Sequence, residues 1–449
     1  MEQIINAVNG VLWDYVLLFL LCGTGIYFTF RLRFVQLTKF KAAFKATFGS
    51  LKWKGNQADK DGMSSFQSFT TAVAAQIGTG NLAGAATAIV CGGPGAVFWM
   101  WVSAFFGMAT IFAEATAAQK YKTYLDGKVT GGPAYYIRAA FKGKTGKVLA
   151  AAFSVFTILA LGFIGNMVQS NSIAEAFHNA FDISPIIVGL IIAVLALYVF
   201  TGGVKRIAGL TEKLVPIMAV FYILGAVIIL ILNYQHIPDA FRQIFVGALQ
   251  PSAIGGGVLG ITVQKAMRFG IARGLFSNEA GMGSTPHAHA VAKVKHPCDQ
   301  GLVAMIGVFV DTFIVLTLTA LVIITSGITG NDQMTGIVLT QSAFVQTFGP
   351  FGNIFIAICL LFFAFSTIIG WYFFGEANVK YLFGEKAVGI YSILVCCCLV
   401  VGSALNVTFV WNMSDTFNGF MVLINTTALL VLSGGVAAIY QSYRDKFNS

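Results

Sequence analysis

Two short polar segments interrupt long apolar stretches of this sequence. The first reads Gly78-Thr79-Gly80-Asn81 and lies within the apolar run 66–90. Glycine weakens a helix and asparagine tends to bond its own backbone, so we expect the helix to break there. In lipid, a broken backbone leaves N–H and C=O groups that are costly unless protein, water or a ligand satisfies them. We therefore interpret the first break as a candidate substrate site.

The two ends of the first break predict two kinds of ligand. A helix that restarts here exposes free N–H groups and about half a positive charge, which favours an anion such as a carboxylate. Thr79 adds a hydroxyl and Asn81 an amide. The carbonyl groups that end the preceding half-helix, near Ala74 and Ile77, point the other way and suit a hard cation such as sodium.

The second break lies at 276–281, which reads FSNEAG. Ser277 and Asn278 can accept hydrogen bonds from an ammonium group, as can carbonyls that the break leaves free. An amino acid carries one carboxylate and one ammonium group. Two facing breaks would therefore complement it.

Carboxylates in apolar spans are costly and are functional candidates by default. Glu279 is one; alternatively it caps the following half-helix or pairs with Arg268 or Arg273. Asp311 either lies on an ion path or pairs with an arginine of the seventh span, which contains Arg268 and Arg273. Glu114 lies near the inner end of its span and is interpreted as structural.

Polar side chains in two further spans are candidates for the same site. Ser366 and Thr367 could ligate sodium together with carbonyls of the first break, or could bond to their own helix and its neighbours. Trp371, one turn further on, either walls a side-chain pocket or belongs to the core. Asn166 and Gln169 share a helix face that looks into the bundle, as binding residues or as contacts between helices.

The composition requires these segments to sit in a membrane protein. Of 449 residues, 57% are hydrophobic and 10% are charged, with a mean hydropathy of +0.79. A soluble protein carries charge on about 25% of its residues, and one span needs about 20 apolar residues. The predicted fold is all-α and polytopic. About eleven spans are predicted, at 10–31, 65–91, 95–119, 148–177, 184–202, 213–233, 256–291, 301–327, 350–376, 388–406 and 414–440.

The basic residues, which give a net charge of +10, gather in alternate loops and indicate topology rather than nucleic-acid binding. They place the N-terminus outside and the C-terminus in the cytoplasm of a multi-pass protein of the cell membrane. The first residues contain Glu2 and no lysine or arginine, so we expect a true first span rather than a cleaved signal.

The two breaks fall in the second and seventh spans, five spans apart. This spacing predicts two inverted five-span repeats, 64–235 and 250–440, after an extra helix and loop at 1–63, in one transporter domain, 1–449. Interrupted helices in matching positions point to a binding site at the bilayer midplane. Glycine is also common in membrane helices simply because it allows close packing.

Several classes of protein are excluded. No GxSxG, HExxH or P-loop pattern occurs, so neither an enzyme nor an ATP-driven pump is predicted. The seven cysteines lack metal spacing, and His287 and His289 do not share a helix face. No cofactor, nucleic acid or obligate protein partner is expected.

Longer motifs resemble the alanine or glycine:cation symporter family. They are CGGPGAVFWMW at 91–101 with GMA at 107–109, IGTGN at 77–81, GGPAYY at 131–136 and SNEAG at 277–281. The resemblance covers essentially the whole chain. It implies the leucine-transporter fold, in which two inverted five-helix repeats have first helices broken at the substrate, here preceded by one extra helix.

The resemblance also implies roles for individual residues. Amides of Thr79 and Gly80 would bind the substrate carboxylate, and Phe276 and Asn278 would meet its ammonium end. Ile368 and Trp371 would line a small pocket, with Gln169 a further substrate residue. The sodium ligands implied are the carbonyls of Ala74, Ile77 and Phe363 and the hydroxyls of Ser366 and Thr367. No clean ligand set for a second sodium site is found.

The predicted function is sodium-coupled symport of small neutral amino acids, alanine or glycine first, into the cell by alternating access. A proton-coupled symporter would use Asp311 or Glu279 as the carrier. A glutamine-preferring member of the family would need a roomier pocket. A sensor that binds amino acids without transporting them is the remaining alternative.

Overall fold

The computed structural model describes residues 2–49, 62–125, 127–250, 262–328, 334 and 336–447. Within this part of the chain the protein is helical apart from one small sheet, as predicted. The helices are α1 (Gln3–Arg31), α2 (Val35–Thr38), α3 (Phe40–Phe48), α4 (Ser65–Gln76), α5 (Gly80–Gly92), α6 (Gly95–Lys120), α7 (Pro133–Ala140), α8 (Gly143–Phe181), α9 (Pro185–Phe200), α10 (Gly203–Leu232), α11 (Ile237–Leu249), α12 (Val263–Asn278), α13 (Pro286–Ala290), α14 (Pro297–Ser326), α15 (Ile337–Phe348), α16 (Phe351–Phe383), α17 (Val388–Ala404) and α18 (Val407–Phe447). Strands β1 (Thr123–Leu125) and β2 (Lys128–Thr130) form an antiparallel hairpin with Thr123 opposite Thr130.

Helices stand at every predicted span, although residues 256–261 of the seventh lie outside the described part. Eight helices of the described residues are long and apolar enough to cross a bilayer, and nine if the bent pair α4 and α5 is one span. Helices α9 and α12 have sixteen residues each, fewer than the roughly 20 that a span needs. The total of eleven spans therefore stays a prediction.

The exposed helix faces are apolar, and polar and charged side chains are buried among the apolar residues of the core. On α9, Ile187, Val194 and Tyr198 are 52%, 68% and 66% exposed and share one helix face. Inside, Glu114 and Asp311 are fully buried. Such a distribution suits a bundle whose solvent is lipid.

The first predicted break is present. Helix α4 starts with a capping box, in which Ser64 and Gln67 satisfy each other's backbone N–H groups. It ends at Gln76, because the φ and ψ of the next residue, Ile77, are −82° and 90° and leave the helical region. Helix α5 restarts at Gly80 at an angle of 45° to α4.

The second predicted break is also present. Helix α12 ends at Asn278, and the next residue, Glu279, adopts a left-handed conformation with φ of 60°. Gly281 and Gly283 follow with φ of 98° and 79°, values that favour glycine, and α13 begins only at Pro286. The chain between α12 and α13 therefore crosses the interior without regular helical hydrogen bonding.

Helix packing brings the two breaks together. Helix α6 packs along α12 and α14, while α4 packs against α10 and α16. Helix α8 lies against α16 and α17, and α1 packs on α6 beside α18. The two breaks are thus enclosed by α6, α8, α14 and α16.

Candidate functional site

The two breaks are in direct contact. A Cβ atom added to Gly80 would lie 2.9 Å from the Cα of Ser277, so only glycine permits this approach. A Cβ at Gly78 would lie 2.3 Å from the Thr367 hydroxyl. The first break is therefore held between the second break and α16.

Asp311 of α14 joins the two breaks through its carboxylate. Oδ1 accepts hydrogen bonds from Asn81 Nδ2 at 2.7 Å and from Ser277 Oγ at 2.9 Å. Thr312 Oγ1 donates to Oδ2 at 2.8 Å. Three neutral donors thus satisfy a fully buried acid.

The alternative that Asp311 or Glu279 pairs with an arginine of α12 is wrong. Arg273 forms two hydrogen bonds with Asp415, at 2.9 and 2.6 Å, and Arg268 pairs with Asp14 at 3.0 Å. Both partners come from α1 and α18, which lie far from α12 in sequence. Arg273 and Arg268 are therefore already paired without Asp311 or Glu279.

Glu279 instead links the second break to α16. It accepts hydrogen bonds from Ser284 Oγ at 2.5 Å and from the indole Nε1 of Trp371. Both Glu279 and Trp371 are buried. The carboxylate therefore fixes the orientation of an aromatic side chain that was predicted to wall the pocket.

The amides of the first break meet side-chain oxygens. Gly78 N donates to Asn81 Oδ1 at 3.0 Å, and Thr79 N donates to Gln169 Oε1 at 3.2 Å. Thr79 Oγ1 and Gln169 Nε2 are buried without a protein partner. Gln169 thus occupies the amide predicted for a substrate carboxylate, beside polar atoms that still need a partner.

Asn166 does not reach the break. Its Nδ2 donates to Gly162 O of its own helix at 3.1 Å, and its Oδ1 is buried without a partner. Asn278 is also engaged within the protein: Oδ1 accepts from Ala280 N at 3.0 Å and Nδ2 donates to Thr312 Oγ1 at 3.2 Å. Asn278 is therefore held by its own neighbours, whereas the only unpartnered acceptor of the two side chains, Asn166 Oδ1, lies away from the break contacts.

Five oxygen atoms converge between α4 and α16, and all belong to residues predicted as sodium ligands. Thr367 Oγ1 lies 2.9 Å from Ala74 O, 3.5 Å from Ile77 O and 3.1 Å from Phe363 O. Ser366 Oγ lies 3.2 Å from Ala74 O and 2.8 Å from Phe363 O. Neutral carbonyl and hydroxyl oxygens at a helix break are the ligands that transporters offer to sodium.

Aromatic side chains pack closely beside the second break. Trp371 meets Phe276 edge-on with ring centroids 5.5 Å apart, and Phe276 lies 4.6 Å from Trp411. A Cβ at Gly165 would be 2.5 Å from Trp371, so α8 packs directly on the indole. Ile368 is fully buried on the same helix as Trp371.

The sequence did not reveal what holds the second break in shape. Glu114 of α6 accepts hydrogen bonds from the amides of Gly281 at 3.2 Å and Gly283 at 3.1 Å, and from Asn425 Nδ2 at 2.5 Å. Asn425 Nδ2 also donates to Gly281 O at 2.9 Å. The only sequence signals were polar residues at depth in apolar spans.

The two histidines have separate partners. His287 contacts Ser284 O at 2.7 Å and Asn378 at 2.8 Å, whereas His289 contacts Gln300 at 2.8 Å. No group of three or more His, Cys, Asp or Glu able to hold a metal occurs in the described residues.

Two solved structures have the same fold as this chain. The crystal structure of MhsT in complex with L-phenylalanine superposes with a TM-score of 0.60 at 14% identity, covering 85% of this chain and 99% of that one. A manganese transporter of Eremococcus coleocola superposes with a TM-score of 0.52 at 13% identity, covering 86% and 81%. The predicted leucine-transporter fold is confirmed, while the bounds of the two repeats stay a prediction.

The sequence comparisons give the family. The sodium:alanine symporter family model matches residues 1–449, and the chain belongs to this family. The sodium/alanine symporter AgcS of Methanococcus maripaludis is 43% identical over 99% of this chain and 97% of its own. The probable sodium/glutamine symporter GlnT of Bacillus subtilis is 40% identical over 99% and 91%. The predictions of a multi-pass membrane transporter and of a non-enzyme are confirmed.

Proposed function

We propose that the protein couples the entry of sodium to the uptake of a small neutral amino acid, alanine or glycine. The observation that carries the proposal is the cluster of five oxygens from Ala74, Ile77, Phe363, Ser366 and Thr367. The hydroxyls of α16 now bond to carbonyls of α4. A sodium ion placed among them would replace these hydrogen bonds and join the same two helices.

The substrate would bridge the two breaks. Its carboxylate would take the amides of Thr79 and Gly80, displacing Gln169 Oε1, and Gln169 Nε2 and Thr79 Oγ1 would then gain the partner that they lack. Its ammonium group would meet carbonyls freed near Phe276 and Ser277. The polar atoms left unpaired at the first break support this arrangement.

The pocket favours a short side chain. Trp371 packs between Gly165, Phe276 and Glu279, and these contacts would oppose its movement away from a longer substrate. AgcS is named for alanine and GlnT for glutamine, so both sizes occur among relatives. Because the indole is closely packed, we propose a small substrate rather than glutamine for this chain.

Coupling follows if both ligands stabilise the same conformation. Sodium would pin α4 to α16, and this would form the amide cradle of the first break. Two inverted repeats, 64–235 and 250–440, would then rock around the site, with the N-terminus outside and the C-terminus inside. Sodium at higher concentration outside would bias loading from that side.

The test is uptake of labelled alanine into proteoliposomes that contain the purified full-length protein. We expect accumulation with an inward sodium gradient, none with equal sodium on both sides, and competition by unlabelled glycine. Accumulation driven by a pH gradient without sodium would instead support the proton-coupled alternative. Competition by glutamine but not by glycine would move the substrate assignment to glutamine.

A further inference from the structure

A groove on the outer surface, between α1 and α18, is separate from the transport site. It encloses about 730 Å³ and runs along the last turns of both helices. Arg31 ends α1, and Arg444 lies in the last turn of α18. The groove therefore reaches the membrane boundary where two long apolar helices end together.

The floor of the groove is smooth and apolar. Gly434 and Ala437 of α18 line it, and a Cβ at Gly434 would meet no atom within 4 Å. Phe30 of α1 forms a wall and is 64% exposed. A hydrogen bond of 3.0 Å between Tyr27 Oη and Ser433 Oγ ties the two helices together. Gly434 and the exposed Phe30 leave this apolar slot open on the outer face of the two helices.

Three arginines stand at the end of this slot. Arg33 joins Arg31 and Arg444 because the chain turns through a left-handed residue there, with φ of 52° at Arg33. None of the three forms an ion pair within the described residues, and no aspartate or glutamate lines the groove. Arg444 Nη1 is buried without a hydrogen-bond partner. Asp445 lies outside the groove lining and accepts from Gln441 at 2.7 Å.

These arginines contrast with those of α12. Arg268 and Arg273 each pair with a carboxylate, as charges in or near a bilayer normally do. Three unpaired guanidinium groups side by side repel one another unless an anion joins them. Guanidinium groups bind phosphate through paired hydrogen bonds, and basic pockets between membrane helices recognise anionic headgroups.

We propose that this groove binds one anionic phospholipid. Its phosphate would lie among Arg31, Arg33 and Arg444, and one acyl chain would lie over Gly434 and Ala437 beside Phe30. A zwitterionic lipid would bring the positive charge of its headgroup towards the arginines. A second copy of the chain, docked through the same groove, would bring its own arginines next to these, and they would repel. Free phosphate would leave the apolar floor without a partner.

The charge arm of the test counts lipids that stay bound to the purified full-length protein in native mass spectrometry. Wild type should retain phosphatidylglycerol in preference to phosphatidylcholine. The double variant Arg31→Gln with Arg444→Gln should bind phosphatidylglycerol about 25-fold more weakly, because each arginine near a lipid surface contributes roughly fivefold. The matched control is Arg138→Gln with Lys142→Gln, which removes two exposed charges elsewhere and should leave binding unchanged.

The steric arm uses two adjacent glycines. Leucine at Gly434 would fill the slot, whereas Gly435 does not line it, and neither position has an atom within 4 Å of an added Cβ. Gly434→Leu should lose the lipid and Gly435→Leu should keep it. Equal retention in these two variants, or in wild type and the arginine variant, would overturn the proposal. If these variants lost a dimer peak, and no lipid-bound peak, from the mass spectrum, the groove would be assigned to a second copy of the chain instead.

Discussion

The indole nitrogen of Trp371 donates a hydrogen bond to the carboxylate of Glu279, across the gap between α16 and the second break. Ser284 Oγ donates to the other carboxylate oxygen at 2.5 Å. A glutamate in the broken helix thus sets the position of the side chain proposed to limit substrate size. The position of Trp371 therefore depends on the conformation of the second break.

Removing the acceptor should loosen the pocket. Glu279→Ala leaves the Trp371 N–H buried without a partner, at a cost of about 1–3 kcal/mol, so we expect half-maximal alanine uptake to need roughly tenfold more substrate. Glu279→Gln keeps an acceptor oxygen and should retain most of the affinity. Concentration curves of labelled alanine uptake measure both. Wild-type affinity for alanine in Glu279→Ala would mean that Glu279 does not help to form the pocket.

Contact between the breaks should depend on glycine at position 80. In Gly80→Ala the new methyl would sit 2.9 Å from Ser277 Cα, where only backbone movement can relieve the clash. We expect uptake to be abolished. Gly84→Ala on the same helix is the control, because its nearest neighbours are 3.8 Å away. Uptake by Gly80→Ala at the level of Gly84→Ala would mean that the breaks need not touch.

The sodium dependence of uptake should change when the α16 hydroxyls are removed. Ser366→Ala with Thr367→Ala deletes two of the five converging oxygens, so the sodium concentration for half-maximal alanine uptake should rise about tenfold or more. Thr427→Ala is the control, since that exposed hydroxyl bonds only to Leu423 O of its own helix. A sodium curve that coincides with the control would exclude this site as the coupling site.

A substitution at Asp311 should distinguish sodium coupling from proton coupling. Asp311→Asn replaces one carboxylate oxygen with an NH2 group. Asn81 and Ser277 donate to one native oxygen and Thr312 to the other, so either orientation of the amide sets its NH2 against a donor, and we expect a large loss of uptake at every pH. If Asp311 carried a proton instead, the variant would keep exchanging labelled for unlabelled alanine while losing pH-driven accumulation. Exchange and accumulation, measured in the same proteoliposomes, distinguish the two outcomes.

Glu114 should contribute to folding stability more than any exposed acid. Glu114→Ala leaves the amides of Gly281 and Gly283 without their acceptor, at about 1–3 kcal/mol for each buried group. We expect a clear drop in the melting temperature of the detergent-solubilised protein. Glu385→Ala removes a half-exposed carboxylate that pairs with Lys128, and it should change little. Equal melting temperatures would contradict the structural role of Glu114.

Local sequence predicted the helical spans and both breaks well, because these depend on apolar length and on residues that disfavour helix. It also indicated Ala74, Ile77, Ser366 and Thr367 as oxygen donors, and the family resemblance added Phe363; all five converge between α4 and α16. It did not find Trp411 beside Phe276 or Asn425 beside Glu114, because nothing in a span's own sequence says which helix will pack on it.

The sequence by itself determined where the chain can cross lipid, where it cannot stay helical, and which family it belongs to. Only the tertiary structure decided the partners of the buried charges. Asp311 and Glu279 accept hydrogen bonds from neutral donors. Arg273 pairs with Asp415, and Arg268 pairs with Asp14. Within one helix, spacing limits contacts to residues three or four apart, whereas a buried charge is satisfied by whichever helix packing brings against it.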